Sequence, residues 1–333
     1  MAGSIDELDA VVNDVADETR FSGAVRADVG GDTRTWVFGM ADRRHHVANT
    51  PDTRFGIASG TKGFTALTVM SLVESGDIGL DTTAREVLGD DLPLIDDAVT
   101  VEQLLAHRSG IGDYLDESRL GDINDHVLTV PVHELWSTEQ YRQVLDGFPQ
   151  VFAPGDRFAY NNSGYVVLAL IAERVARVRF DELVRQRVCT AAGLARTGFE
   201  ASDELPPDVA LGYLGPDGFG TNIFHLPLLG SGDGGMFTTV ADMHRFWQQL
   251  FAGGIVTAGT VRLMTTPRSD VPDEGMRYGL GFWLADAGAT VTLEGYDAGV
   301  SFRSSHDPTN GDTFTVASNT SGGAWPVARA IGA

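Results

Sequence analysis

The chain has 333 residues, is 43% hydrophobic, and carries 46 acidic against 24 basic residues for a formal net charge of -22. That length can bury a sizeable core as one large domain or two interlocked ones. The acid excess leaves no basic patch for nucleic acid and repels anionic membranes, although salt screens such repulsion beyond roughly 10 Å.

The segment Met1 to Arg20 is acidic and lacks the basic start and apolar run of a secretory signal. The longest apolar runs, such as Tyr165 to Ala172, are too short to cross a bilayer. The expectation is a cytoplasmic protein without a membrane partner. Ile5 to Arg20 reads as an amphipathic helix with Leu8, Val11, Val12 and Val15 on one face. Phe21 to Val29 and Thr33 to Met40 read as strands joined by a hairpin at Gly30-Gly31-Asp32. Phe55 to Ala58 is a short strand leading into a helix from about Gly60 to Glu74. From Asp81 to Arg187 the pattern is mainly helical, broken by Gly, Pro and Asp turns. Cys189 is the lone cysteine, which excludes an intrachain disulfide and fits a buried structural thiol. Helices follow at Ala241 to Phe251 and around Thr260. Strands are predicted at Tyr278 to Leu284, Ala289 to Leu293, Val300 to Ser304 and Thr313 to Ala317, with a closing helix from Ala324. Strands at both ends around a helical middle point to one antiparallel sheet built from the two termini.

The strongest chemical signal is Phe55-Gly56-Ile57-Ala58-Ser59-Gly60-Thr61-Lys62. Three residues apart at a helix start, Ser59 and Lys62 fall on one face within contact. A serine hydroxyl becomes a nucleophile when something takes its proton, and a desolvated amine can do so. The helix behind them carries Phe64, Leu67, Val69, Met70, Leu72 and Val73 among small or uncharged residues, the pattern of a helix buried nearly all round. Burial and the positive helix end both favour the neutral amine. The competing reading makes Ser59 a helix cap and Lys62 a surface residue. Against it, Lys62 is the one lysine among 24 basic residues. A chain that uses arginine everywhere else has kept lysine where a proton must be released, which guanidinium cannot do.

A second element is Phe158-Ala159-Tyr160-Asn161-Asn162-Ser163 ahead of the apolar run from Tyr165. Tyrosine can relay a proton, and an asparagine amide can hold both an amine and a substrate carbonyl. The competing reading is a helix start capped by Asn162 or Ser163.

Ser59-x-x-Lys62 followed about a hundred residues later by Tyr160-x-Asn162 resembles the serine β-lactamase and penicillin-binding superfamily. The likeness is greatest to the class C β-lactamase branch, with family VIII carboxylesterases and D-alanyl-D-alanine carboxypeptidases as relatives. Leu104 to Ile111 is similar to the family's Leu-Leu-x-His-x-Ser-Gly-Leu, and Gly234 to Met243 supports the same match. The resemblance implies an α/β (α+β) fold of the β-lactamase type, with an antiparallel sheet, flanking helices and an inserted, mainly helical subdomain. One catalytic domain would cover residues 1–333, with a sheet subdomain of about 1–80 plus 190–333 and a helical one of about 81–189. It implies acylation of Ser59, proton transfer shared by Lys62 and Tyr160, and substrate positioning by Asn162.

The family's third motif is Lys-Thr-Gly or His-x-Gly on a strand lining the site. Its expected place is Leu293 to Ser304, with Tyr296 where the cation is usual and Ala298 where glycine is usual. On that alignment Tyr296 borders the substrate, and the N–H groups of Ser59 and Gly299 form the oxyanion hole. Such a site lacks the cation that pairs with a substrate carboxylate.

Other motifs carry less. Gly230-Ser231-Gly232-Asp233-Gly234-Gly235 fits a dinucleotide fingerprint by letter, but no βαβ unit surrounds it. Neither His45-His46 nor His133-Glu134 has partners at metal-ligand spacing. His107, tempting as a triad base, lies in the stretch that matches a structural loop and is read as packing. The expectation is an esterase-like serine hydrolase of a small ester or amide, with no cofactor and no metal. The alternatives are a β-lactamase or D,D-peptidase, an amidase or acyl transferase, and a non-catalytic sensor. Oligomeric state is not legible.

Overall fold

The computed structural model describes residues 5–116 and 121–333, so Met1 to Ser4 of the acidic N-terminal segment lie outside the described residues. An eight-stranded antiparallel sheet runs, from edge to edge, Asp32–Phe38, Gly23–Val29, Thr313–Ser318, Val300–His306, Val291–Asp297, Trp283–Ala285, Met276–Tyr278 and Ser269–Val271. The two chain ends meet where Gly23 pairs with Ser318 and Asp28 with Thr313. The fold is thus the α/β type expected, with the sheet drawn from both ends.

Alternation along the strands divides the apolar side chains between two layers. Val25, Ala27, Phe314 and Val316 face the terminal helices Ile5–Thr19 and Ala324–Ile331. Ala24, Leu293, Phe302 and Ala317 face the larger core. The first helix buries Leu8, Val12 and Ala16, while Val11 is 36% exposed, so the buried stripe is narrower than its apolar spacing suggested.

The larger core is organised by two helices, Thr61–Ser75 and Asn162–Ala176. The first is buried without interruption from Thr61 to Leu72, the second from Asn162 to Ala172. A helix without a polar face needs neighbours all round, and each supplies part of the other's. The stretch from 81 to 161 departs from the helical expectation. Its helices, Ala84–Leu88, Val101–Leu105 and Arg142–Leu145, are one turn or little more. Thr83 and Thr100 start two of them through complete capping boxes, and Gly89 ends the first. The expected strand Tyr278 to Leu284 is two strands, because the chain reverses between Gly279 and Phe282 with Gly281 at φ 87°. Cys189 is buried in the π-helical turn Arg185–Thr190, and burial pushes its thiol up to about 12.

Leu168 sits fully buried in the middle of the second central helix. Leu168→Ala should lower unfolding stability by about 2–5 kcal/mol, the usual cost of such a cavity. Urea melts of parent and variant measure it, and a loss below about 1 kcal/mol would mean that the two helices do not form the rigid centre described.

Candidate active site

Three chain segments converge on Ser59. The strand Phe55–Gly56, paired with Met236–Thr238, feeds the 3-10 turn Ala58–Gly60, which runs straight into the helix Thr61–Ser75. Ala58 is held at φ 43°, a conformation L residues rarely adopt, and such strain persists where packing over-determines it.

Lys62, in the first turn of that helix, is 2% exposed. Its Nζ lies 2.8 Å from Ser59 Oγ, 2.8 Å from Asn162 Oδ1 and 2.9 Å from the Asp233 carbonyl oxygen. The rings of Tyr160 and Tyr165 flank it with centroids at 4.9 and 5.7 Å. A surface lysine beside a capping serine is therefore excluded.

The Tyr160-Asn161-Asn162 turn begins the second central helix, and capping falls to other groups. The Asn161 side chain accepts from the Gly164 N–H. Asp113 accepts from the N–H groups of Asn162 at 2.8 Å and Ser163 at 2.9 Å. The Asn162 amide is left to join Lys62 to the rest of the site, its Nδ2 donating to the Leu115 carbonyl at 2.8 Å. Tyr160 stacks near Trp283, 6.1 Å between centroids and 10° from parallel.

His107 lies beneath this turn. Its Nδ1 accepts the Asn161 N–H at 3.1 Å, and its ring packs among Phe158, Tyr160, Tyr165 and Tyr278. Burial first, and Lys62 second, hold the imidazole well below its ordinary pKa, so it is neutral. It supports the turn, in keeping with the packing reading.

Two carboxyls near Lys62, the half-buried Asp113 and the buried Asp233, escaped the sequence reading. Burial pushes Asp113 up to about 6, against the pull of the Ser163, Asn162 and Leu115 N–H groups and of Lys62. Burial also raises Asp233, opposed by Lys62 and by the Tyr114 hydroxyl that donates to its Oδ2. Nothing in their spacing marks them, since both reach Lys62 only through tertiary folding.

The third motif needs correction. Gly295, not Ala298, presses against the Ser59 turn: a Cβ on Gly295 would lie 2.0 Å from the Ile57 oxygen and 2.7 Å from the Ser59 nitrogen. With glycine third in the motif, Leu293 takes the cation position assigned above to Tyr296. Leu293 is buried and packs over Gly63, one residue beyond Lys62. Gly299 lines the adjoining cavity, but its N–H donates to Ser321 Oγ at 2.7 Å and is not directed at Ser59. Ladder alternation identifies the N–H that is. Ala285 N–H donates to the Thr290 carbonyl and Trp283 pairs with Thr292, so even-numbered residues of Val291–Asp297 turn their backbone groups toward that side. Beyond Trp283 the neighbouring strand ends, and the N–H of Tyr296 is directed toward the edge that meets the Ser59 turn. Tyr296 itself is 41% exposed and lines both cavities that open on Ser59. One cavity has about 290 Å³, the other about 770 Å³.

The beta-lactamase family model matches residues 8–332. The chain is 27% identical over 254 residues to the putative penicillin-binding protein PbpX of Bacillus subtilis (strain 168), covering 74% of this chain and 58% of that protein. It therefore spans under two thirds of that relative's length. A penicillin-binding protein from Bacillus halodurans superposes with a TM-score of 0.90 at 35% identity, over 96% of this chain and 99% of that one. EstCE1, a hydrolase with promiscuous acyltransferase activity, shares the fold with a TM-score of 0.79 at 21% identity, over 98% of each chain.

Asp113 gives the fold a pH dependence of definite sign. Folded, its carboxyl keeps a proton up to about pH 6; unfolded, it releases it near its ordinary value of 3.8. Between those limits the folded state binds more protons, so this group's contribution to stability falls as pH rises from about 4 to about 6. Asp113→Asn removes that dependence. Urea stabilities compared across the window should shift steadily in the variant's favour; a constant offset between the two curves would refute the protonated carboxyl.

Proposed function

The chain belongs to the beta-lactamase family, and from that premise we propose that it is an esterase-like serine hydrolase working through an acyl-enzyme on Ser59. The observation that carries this reading is the buried contact of Lys62 Nζ with Ser59 Oγ at 2.8 Å.

Lys62 acts in its neutral form, as a base must. Its two N–H bonds go to Asn162 Oδ1 and the Asp233 carbonyl, leaving its lone pair toward the Ser59 hydroxyl. The amine takes the hydroxyl proton as Ser59 Oγ attacks the carbonyl carbon of an ester or amide. The oxyanion that develops is held by the N–H groups of Ser59 and Tyr296. As the tetrahedral adduct collapses, the proton passes from Lys62 through the Tyr160 hydroxyl to the departing oxygen or nitrogen. Water then attacks the acyl-enzyme, its proton returning by the same route to restore Ser59. Asn162 keeps the amine in line and borders the substrate carbonyl.

Substrate choice follows from Leu293. An apolar side chain in the cation position offers nothing to a substrate carboxylate, and Asp113, Asp116, Asp273, Glu274 and Glu294 line the larger cavity. This favours a neutral ester over a β-lactam or a peptide with a free C-terminus. The likeness to penicillin-binding proteins keeps β-lactam acylation as the second reading.

A fluorophosphonate probe should label Ser59, mapped by mass spectrometry. Lys62→Arg, which keeps charge but cannot accept a proton, should slow acylation by about two to four orders of magnitude. Label on Ser109 or Ser231, or a variant within tenfold of the parent, would exclude these roles. For substrate choice, a missing charge-assisted contact is worth about 1.5–3 kcal/mol, or about 10- to 150-fold. The kcat/KM for a neutral p-nitrophenyl ester should exceed that for nitrocefin by at least that factor, and Leu293→Lys should narrow the gap. Equal turnover of the two substrates by the parent would defeat the argument.

A further inference from the structure

The two cavities that meet at Ser59 have walls of different character. The smaller, about 290 Å³, has Tyr114, Asn162, Asp233, Thr221, Asn222 and Asp297 among its polar lining. Leu205, Leu211, Ile223, Leu226 and Phe237 supply the apolar lining. Glu200 also reaches its wall, but Arg54 engages the carboxylate in an ion pair. The larger cavity, about 770 Å³, has acidic and aromatic walls that include Tyr160.

We propose that the smaller cavity is an acyl pocket for an apolar chain of about eight carbon atoms, with the leaving group lodged in the larger one. The assignment rests on the Ser59 acyl-enzyme reading above. Its direction comes from the proton: Tyr160, which must reach the leaving group, stands in the wall of the larger cavity, so the acyl arm turns the other way. Its size comes from volume. An apolar cavity of about 150 Å³ holds a benzene ring, and one of about 290 Å³ holds about twice that, less the space the ester group takes beside Ser59. Its polarity comes from those five apolar side chains, and the Asp233 and Asp297 carboxyls on the same lining disfavour an anionic arm. Ile223, in that lining, is 40% exposed, so apolar surface reaches solvent.

The test is kcat/KM for p-nitrophenyl acetate, butyrate, hexanoate and octanoate on the parent and on Leu226→Trp, which fills the pocket. Each fully buried methylene is worth a factor of about three to four, and the octanoate should exceed the acetate by at least about tenfold. In Leu226→Trp that ratio should collapse toward one, a readout that a reduced folded fraction cannot mimic. Alkylboronic acids, which add reversibly to a reactive serine, should inhibit the parent in the same order from butyl to octyl. A flat or falling series in esters and boronates, with Ser59 still labelled by fluorophosphonate, overturns the pocket and leaves the hydrolase reading intact. Failure to turn over any ester, with no label on Ser59, overturns that reading and the pocket together.

Discussion

The site depends on one amine being held where water does not reach it. Lys62 contacts Ser59, Asn162 and the Asp233 carbonyl, groups carried by a 3-10 turn, by the start of the second central helix and by a turn some seventy residues later. A buried amine with three hydrogen-bond partners in reach costs little, whereas one deprived of any of them would carry more of the desolvation penalty. The apolar surroundings of the two central helices are thus also the condition for the chemistry. They exclude water, and the Asn162 and Asp233 oxygens fix the nitrogen against the serine oxygen.

Close backbone approach is the second requirement, and glycine meets it at two places. Gly295 lets the strand Val291–Asp297 slide against the Ser59 turn, where a methyl group would collide with the Ile57 oxygen. Gly232 does the same for the turn bearing Asp233, since a Cβ there would lie 2.0 Å from the Tyr165 oxygen. The run Gly230 to Gly235, which imitates a dinucleotide fingerprint, owes its glycines to this packing. Its carbonyl at Asp233 reaches Lys62 because nothing stands between turn and helix.

What could be read from the sequence was what is local. Ser59 and Lys62 share a helical face by spacing alone, and the apolar helix behind them announces its burial. The Tyr160–Asn162 turn was visible through its match to a known pattern, although spacing could not show that Asn161 and Asp113 would do the capping. The third motif was misplaced by three residues because Gly295 and Gly299 are both glycines near a strand end. Only strand pairing distinguishes the one that faces Ser59 from the one tied to Ser321. Asp113, Tyr114 and Asp233 had no local signature. The short helices between residues 81 and 161 were over-read, because apolar residues at helical spacing can also line irregular chain when capping boxes and glycines stop each turn early.

The distribution of charge gives the lone lysine its meaning. Arginines in this chain pair with carboxylates at the surface, as Arg174 does with Asp91 and Glu139, where a planar fork suits two oxygens at once. Around Lys62 the carboxyls, half-buried at Asp113 and buried at Asp233, lack such a fork. Asp113 leans on backbone N–H groups and Asp233 on a tyrosine hydroxyl, and burial raises the pKa of both. When Lys62 takes the serine proton, the new ammonium lies among groups whose ionisation it favours in turn. The charge on Lys62 and the ionisation of the two carboxyls are therefore linked. An acid limb in the pH profile of acylation would belong to the cluster, and Asp113 would share it with the base.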